Sequence, residues 1–253
     1  MPEAPSKPFI EVRGLHKRIG GQHILRGMDL TIHHGESLAL IGGSGTGKSV
    51  TLKLIMGLMP VTSGSIIVDG QEITTLNERQ LGPHRRKIGM LFQDGALFDS
   101  LTVEENVAFP LKEAGEKDAA KIAAAVHEVL DEVGLADSKE KLPSALSGGM
   151  RKRAALARAL ITKPHCVLYD EPTAGLDPII SDSIDHLIRR TQRRYKCTSV
   201  IVTHDMKSVR TVTDRVLYLR EGVVYFAGTP EELFASEDPV VREFVEGKSG
   251  EAD

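Results

Sequence analysis

Apolar residues recur along this chain in two rhythms, one of strands and one of helices, that alternate along its length. "FIEVRGL" (9–15) alternates and predicts a first strand, and "GMDLTIHHGE" (27–36) predicts a strand and a turn. "SLALIGG" (37–43) is a short continuous apolar run closing on glycines, the pattern of a buried strand entering a loop. A helix is predicted from Ser49 to Met59, a strand in "GSIIVDG" (64–70), and another at the end of "RRKIGMLFQ" (85–93). Beyond Gln93 the period becomes helical, over Thr102 to Leu111, Lys117 to Val133 and Gly148 to Ile161. Strands return after Pro164 with "CVLYDEP", "TSVIVTHD", "RVLYLREG" and "VVYFAG". Two short helices, "PEELFAS" and "PVVREFVEG", follow.

Strands alternating with helices predict an α/β fold with a mainly parallel sheet, and the helical stretch reads as an insertion into it. The expected organisation is a loose tail over 1–8, a core over 9–93 and 163–228, a helical subdomain over 94–162 and a C-terminal helical tail over 229–253. No internal repeat and no low-complexity segment interrupts it.

Composition changes this picture little. Length, 253 residues with 41% hydrophobic, allows one large domain or one domain with an insertion. A net charge of -3 argues against nucleic-acid binding driven by bulk charge. Two cysteines, Cys166 and Cys197, make no disulfide framework and fit a reducing compartment. Cys166 reads as a small core residue. The N-terminal residues lack the apolar region of a secretory signal, and no run of 18 apolar residues is present, so any membrane role is expected to come through partners.

The chemistry begins at "GGSGTGKS", Gly42, Gly43, Ser44, Gly45, Thr46, Gly47, Lys48 and Ser49, which fits G-x-x-x-x-G-K-[ST] between an apolar strand and a helix. Glycines let backbone N–H groups turn around a phosphate without Cβ clashes. Lys48 supplies charge to the β and γ phosphates, and the Ser49 hydroxyl suits Mg²⁺. The motif ends there: position 50, expected as a second serine with no ligand role, is Val50 in the sequence. Asp170 ends the apolar strand "CVLYD", where parallel sheets bind ligands, and suits the Mg²⁺ shell. Glu171, one residue on, is placed to polarise an attacking water. His204 closes "SVIVTH" either as a structural strand end or, beside such a site, as a γ-phosphate sensor. Gln93 could touch Mg²⁺ or water and report occupancy to the helical insertion. In "LSGGM", Ser147 opens a helix that could be capped by its hydroxyl, and the same small-residue turn is a second anion site.

With "GGSGTGKS", "LSGGM", "VLYDEP", "AGLD" and "SVIVTHD" in that order, the chain resembles the ATPase subunit of an ABC transporter from about Phe9 to Gly228. The resemblance implies a P-loop NTPase (RecA-like) core with an N-terminal antiparallel β subdomain and an inserted α-helical signature subdomain. It implies ATP and Mg²⁺ as ligands, with Ser49, Gln93 and Asp170 toward the metal and Lys48, Glu171 and His204 at the reacting phosphate. Two such subunits pair head-to-tail, so Ser147, Gly148 and Gly149 would serve the ATP of the partner, and Asp177 of "AGLD" would lie at the dimer interface. The adenine-stacking aromatic of the family is replaced by Ile19, in "LHKRIGGQ", leaving an apolar contact or an ordinary aliphatic.

A second departure is Met150, where most relatives carry Gln. Met150, "GALF" and "NVAFPL" are similar to the ATPases of Mce/Mla-type phospholipid transport between inner and outer membranes. Drift at a tolerant helix position would also give Met150. The subgroup implies a homodimer at the cytoplasmic face of the inner membrane, a permease dimer, an Mce-domain protein and a small accessory subunit. Leu97 and Phe98 would receive the permease, or else belong to the core. The alternative within the family is a small-solute importer; a soluble ABC ATPase of DNA repair or translation and a non-hydrolysing subunit fit the residues less well.

Overall fold

The computed structural model describes residues 7–247, so the tail expected over 1–8 lies outside it up to residue 6, as do residues 248–253. The chain divides into two compact units: residues 1–84 with 198–253, and residues 85–197.

The first unit opens with β1 (Pro8–Ile19) and β2 (Gln22–His33), then β3 (Ser37–Gly42), α1 (Lys48–Ile55), β4 (Ser63–Val68), the two-residue β5 (Gln71–Glu72) and α2 (Glu78–Arg85). Alternating burial along β1 and β2 puts Ile10, Val12, Leu30 and Ile32 inside, and those strands form an antiparallel sheet in the order β2-β1-β4-β5. β3 is buried at all six positions, as a strand with neighbours on both edges and cover on both faces must be.

The predicted helix from Ser49 to Met59 is shorter than its apolar pattern suggests. Gly57 adopts φ 67°; its N–H bonds the Leu54 carbonyl at 3.0 Å, and the Leu58 N–H bonds Lys53 at 2.8 Å. That pair of bonds is a Schellman stop, and only glycine enters it without strain.

The second unit contains β6 (Ile88–Leu91), α3 (Val103–Glu113), α4 (Ala119–Glu132), α5 (Gly148–Leu160), β7 (Cys166–Asp170) and α6 (Pro178–Tyr195). β6 and β7 pair in parallel, Ile88 opposite Cys166 and Leu91 opposite Tyr169. Each predicted helix begins at a side-chain cap: Thr102 with Glu105 in a capping box, Asp118, and Ser147. α5 packs against β6, α3, α4 and α6. Its alanines allow a close approach: a Cβ on Gly89 of β6 would collide with the Ala159 carbonyl. The C-terminus of α4 is tied down by arginines. Arg153 donates to the Val133 carbonyl at 3.4 Å, Arg190 to the Glu132 carbonyl, and Arg190 and Arg194 both pair with the buried Glu132 carboxylate.

α6, the longest helix among the described residues, is absent from the expected elements although Ile180, Ile184, Leu187 and Ile188 recur at helical spacing. Its buried stripe is Ser181, Ile184, Asp185, Leu187, Ile188, Thr191 and Gln192, helically spaced but half polar. Its N-terminal signal is Asp177-Pro178, a cap followed by proline in the first turn.

The chain then returns to the first unit with β8 (Thr198–Val202), α7 (Met206–Val212), β9 (Arg215–Arg220), β10 (Val223–Gly228), α8 (Pro230–Phe234) and α9 (Pro239–Glu246). β3 lies between β8 and β9, parallel to both, and β10 runs antiparallel to β9. The last two helices close over this sheet: Phe244 stacks on Tyr218 at 4.7 Å, and Leu233 and Val241 join Ala39, Ile41 and Val216.

Gly89→Ala is expected to lower the unfolding free energy by about 2 kcal/mol, because backbone rather than a flexible side chain occupies the space of the new methyl. Denaturant unfolding measures it, and a neutral result would mean that α5 and β6 can separate freely.

Candidate functional site

The glycine-rich loop leaves the carboxyl end of β3 and returns as α1, whose N-cap is Gly47 at φ 103°. A Cβ on Gly42 (φ 151°) would collide with the Leu219 carbonyl, and one on Gly47 would come within 2.7 Å of Leu25. Gly42 is demanded by backbone packing and by its angle, and Gly47 by its angle, independently of any ligand. Thr46 closes the turn by donating its hydroxyl to the Gly43 carbonyl at 2.9 Å, and Gly43, Ser44 and Gly45 are exposed. The Lys48 ammonium curls back over the loop and donates to the carbonyls of Gly42 and Gly43, each at 2.8 Å. Ser49 stands in the first turn of α1, half-buried, and Thr51 behind it donates to the Gly47 carbonyl at 2.9 Å. Between them position 50 corrects the expectation of a serine: Val50 is a half-buried aliphatic in the first turn of α1. It has no hydroxyl to offer a metal or a phosphate. The result is a cationic loop at a helix N-terminus, an arrangement that favours phosphate.

His204 belongs to the same unit. Val202 of β8 lies opposite Leu40 of β3, so His204, two residues on, stands level with Gly42 at the carboxyl edge. It is exposed, ahead of the Asp205 cap of α7. Ile19 is exposed at the β1–β2 turn, opposite Gln22.

In the second unit, Leu91 opposite Tyr169 brings Gln93 level with Glu171 beyond the ends of β6 and β7. Asp170 is buried at the last position of β7, 6% exposed. Glu171 has φ 49°, a left-handed conformation unusual for a glutamate, and is half-buried. One residue absent from the sequence expectations joins these: Lys152 of α5, buried, donates its ammonium to the carbonyls of Gln93 and, at 3.1 Å, of Glu171. Burial pulls the Lys152 amine below the ordinary lysine range, and the charges of Asp94, Glu171 and Asp170 oppose that shift. In the sequence it is hidden within the basic run "RKR", although it falls three residues after Gly149 on the buried face of the helix.

Ser147 is exposed and caps α5, its hydroxyl accepting from the Met150 N–H at 3.3 Å. A Cβ on Gly149 would lie 2.6 Å from Ile180 of α6, so this glycine has an internal packing reason, whereas Gly148 is half-exposed against Leu176. Met150 is half-exposed on the first turn. Asp177 caps α6, accepting from the N–H groups of Ile179 and Ile180 at 3.0 Å, and the adjoining Ile179 is 81% exposed.

Three side chains pin the loop between Gln93 and Thr102. Lys152 holds the Gln93 carbonyl, and Arg158 donates to Gly95 at 2.8 Å and to Ala96 at 2.6 Å. Asn106 of α3, fully buried, accepts from the Phe98 N–H at 2.8 Å, and the two N–H groups of its amide are shared among the carbonyls of Phe98, Leu101 and Thr102, each 3.0 Å from Nδ2. The backbone is thereby fixed while the Phe98 ring, tilted against Phe109 at 4.8 Å, stays 44% exposed and Leu97 half-exposed. Asn106 and Arg158 also escaped sequence reading; "ENVAF" gives a lone asparagine in a helix as the signal.

The sequence profile of the ABC transporter family matches residues 25–174. The probable ribonucleotide transport ATP-binding protein mkl of Mycobacterium tuberculosis is 45% identical over 245 residues, 96% of this chain and 68% of that protein. The chloroplastic protein trigalactosyldiacylglycerol 3 of Arabidopsis thaliana is 39% identical over 262 residues, 97% of this chain and 75% of that one. The methionine import ATP-binding protein MetN of Rhizobium johnstonii is 40% identical over 233 residues, 92% of this chain and 64% of that one. Among solved structures, a dimeric ATP-binding cassette in a post-hydrolysis state with ADP and Pi superposes with a TM-score of 0.81 at 31% identity, covering 87% of this chain and 98% of that one.

Asn106→Ala is expected to destabilise the protein by about 2–3 kcal/mol, since it strands buried backbone groups, and to speed amide exchange at Phe98 and its neighbours. Chemical denaturation and hydrogen exchange read the two effects; unchanged exchange at Phe98 would remove Asn106 from the clamp.

Proposed function

This chain belongs to the ABC transporter family, and we propose that it is the ATPase subunit of a transporter that moves phospholipid between inner and outer membranes. The fold is that of a P-loop NTPase and the chain is an ATP hydrolase. No helix among the described residues is long and apolar enough to cross a membrane, so a permease dimer would supply the path and hold the subunit at the cytoplasmic face of the inner membrane. An Mce-domain protein and a small accessory subunit complete the proposed assembly.

In the proposed reaction a water oxygen attacks the γ-phosphorus of ATP, the bond to the β–γ bridging oxygen breaks, and ADP leaves with inorganic phosphate as the other product. Catalysis of this kind is mainly positioning and charge stabilisation. Lys48 and the N–H groups from Gly43 to Ser49 bind the phosphates, His204 contacts the γ-phosphate, and Glu171 orients the water and takes its proton. The residues fit Mg²⁺ brought in by the nucleotide: Ser49, Gln93 and Asp170 are hard oxygen donors. Among the described residues no three His, Cys, Asp or Glu stand together as a cage of their own. Bound there, the ion would neutralise phosphate charge. Ile19 would touch the adenine.

Ser147, Gly148 and Gly149 would complete the ATP site of a second subunit, with Asp177 at the junction. The exposure of the Ser147 turn supports this, as does the dimeric state of the superposed cassette. The observation that carries the coupling is Phe98, an exposed ring on a loop whose backbone is held by Lys152, Arg158 and Asn106. Such a fixed apolar knob, with Leu97, is suited to receive a permease segment. Lipid as cargo rests on Met150, "GALF" and "NVAFPL", and on the likeness to a protein named for a galactolipid. The likeness to MetN favours a second reading, a small-solute importer. Lipid analysis of the complex purified from membranes separates the two.

Glu171→Gln is expected to reduce turnover by at least about 100-fold while preserving ATP binding and promoting ATP-dependent dimers, read by phosphate release and light scattering; near-normal hydrolysis would remove Glu171 from its role. Phe98→Asp is expected to leave a folded ATPase that no longer co-purifies with its permease, and intact co-purification would count against the docking surface.

A further inference from the structure

We propose that Lys152 is a positioning residue for ATP hydrolysis: from the signature helix α5, its ammonium fixes the backbone of both Gln93 and Glu171. The inference rests on the proposed role of Glu171 and adds a residue that acts through it.

Three observations converge on this lysine. Its ammonium reaches across from the buried face of α5 to two carbonyls that belong to different segments, Gln93 after β6 and Glu171 after β7. A lysine ammonium has three N–H donors and no acceptor, so two backbone oxygens at different points of the chain fix it as a strut. It is also buried, and a lysine is kept buried only where its charge has partners. Here the neighbouring charges are those of Asp94, Asp170 and Glu171.

The second segment is where a strut is needed. Glu171 sits at φ 49°, a conformation that a glutamate leaves readily unless its surroundings hold it. The Ala174 N–H bonds the Glu171 carbonyl at 3.2 Å, and the Lys152 ammonium approaches the same oxygen at 3.1 Å. Releasing Lys152 removes the charged bond and leaves that oxygen to the weaker neutral one from Ala174, and the backbone at Glu171 gains other conformations. A carboxylate that must stand within hydrogen-bond reach of a water then spends less time in place, which lowers turnover without weakening the grip on ATP.

The same strut gives α5 a second function. The helix that begins with Ser147 carries, five residues from that serine, the group that aligns Gln93 and Glu171. A shift of α5 along its axis would thereby be felt at both carbonyls.

The test compares two substitutions on the purified full chain. Lys152→Met keeps the length and apolar stem but removes the donors; Lys152→Gln restores an uncharged N–H donor. The expected result is a kcat reduced about tenfold or more in Lys152→Met, with KM for ATP within about twofold of wild type, and recovery of most of the loss in Lys152→Gln. A kcat within twofold of wild type for Lys152→Met overturns the proposal. So does a parallel loss of kcat and ATP affinity, a failure of Lys152→Gln to recover, or a Met variant that is unfolded at the assay temperature, since each makes Lys152 a residue of general stability or of binding. Glu171→Gln, assayed alongside, separates the two levels. If it hydrolyses ATP normally, the role of Glu171 itself fails; if it is inactive while Lys152→Met is unimpaired, only the positioning role fails.

Discussion

The close approach of α5 to β6 at Gly89 is the contact on which the second unit depends. Because a Cβ there would meet the Ala159 carbonyl, the strand and the helix lie backbone to backbone, and the alanines of α5 are the residues that permit it. At that distance long polar side chains of α5 reach past the strand to the loop beyond it. Arg158 and Lys152 use this reach, one holding Gly95 and Ala96, the other Gln93 and Glu171. A bulkier helix would stand farther off, and the same arginine and lysine would end in solvent. Small residues in the core are therefore what lets charged residues act at the site.

A comparable economy governs the glycines. Gly42 and Gly47 suit a phosphate loop, yet Gly42 is required by its approach to the Leu219 backbone and Gly47 by its left-handed backbone angle. Gly149, in the signature turn, faces Ile180 of its own unit. These positions cannot be read as ligand contacts from residue type alone. Exposure separates them: Gly43, Ser44, Gly45 and Ser147 are open, while Gly42, Gly47 and Gly149 are inside. The open residues can approach an anion, and the buried ones set the angles at which they do so.

Much of this was legible in the sequence, for a physical reason. Strands buried on both faces, such as Ser37–Gly42 and Cys166–Asp170, have no polar side and stand out as unbroken apolar runs. Their ends then locate Lys48, Asp170, Glu171 and His204. The cap Ser147 likewise marked the start of α5, whereas Thr102 and Asp118 act as caps at helix starts that the sequence placed by periodicity alone. What escaped lies where burial is carried by polar atoms. The helix Pro178–Tyr195 has Ile180, Ile184, Leu187 and Ile188 at helical spacing, and Ser181, Asp185, Thr191 and Gln192 share the same buried face and mask that stripe. Asn106 and Lys152 are inside because of hydrogen bonds to particular carbonyls, and no composition or spacing rule announces a partner 59 residues away.

That blind spot bears on how the two ends of the second unit communicate. Hydrophobic attraction holds α5 in place and is non-directional. Hydrogen bonds from a fixed ammonium or amide are directional, because they weaken steeply with angle. Apolar contacts of α5 with β6, α3, α4 and α6 make the scaffold, whereas Lys152, Arg158 and Asn106 make the register. The loop that carries Phe98 is bonded through its carbonyls to Asn106 of α3 and to Arg158 of α5, and α5 begins at the exposed Ser147 turn. Directional bonds to backbone oxygens, more than the apolar core, fix the register between the Phe98 loop and the helix that starts at Ser147.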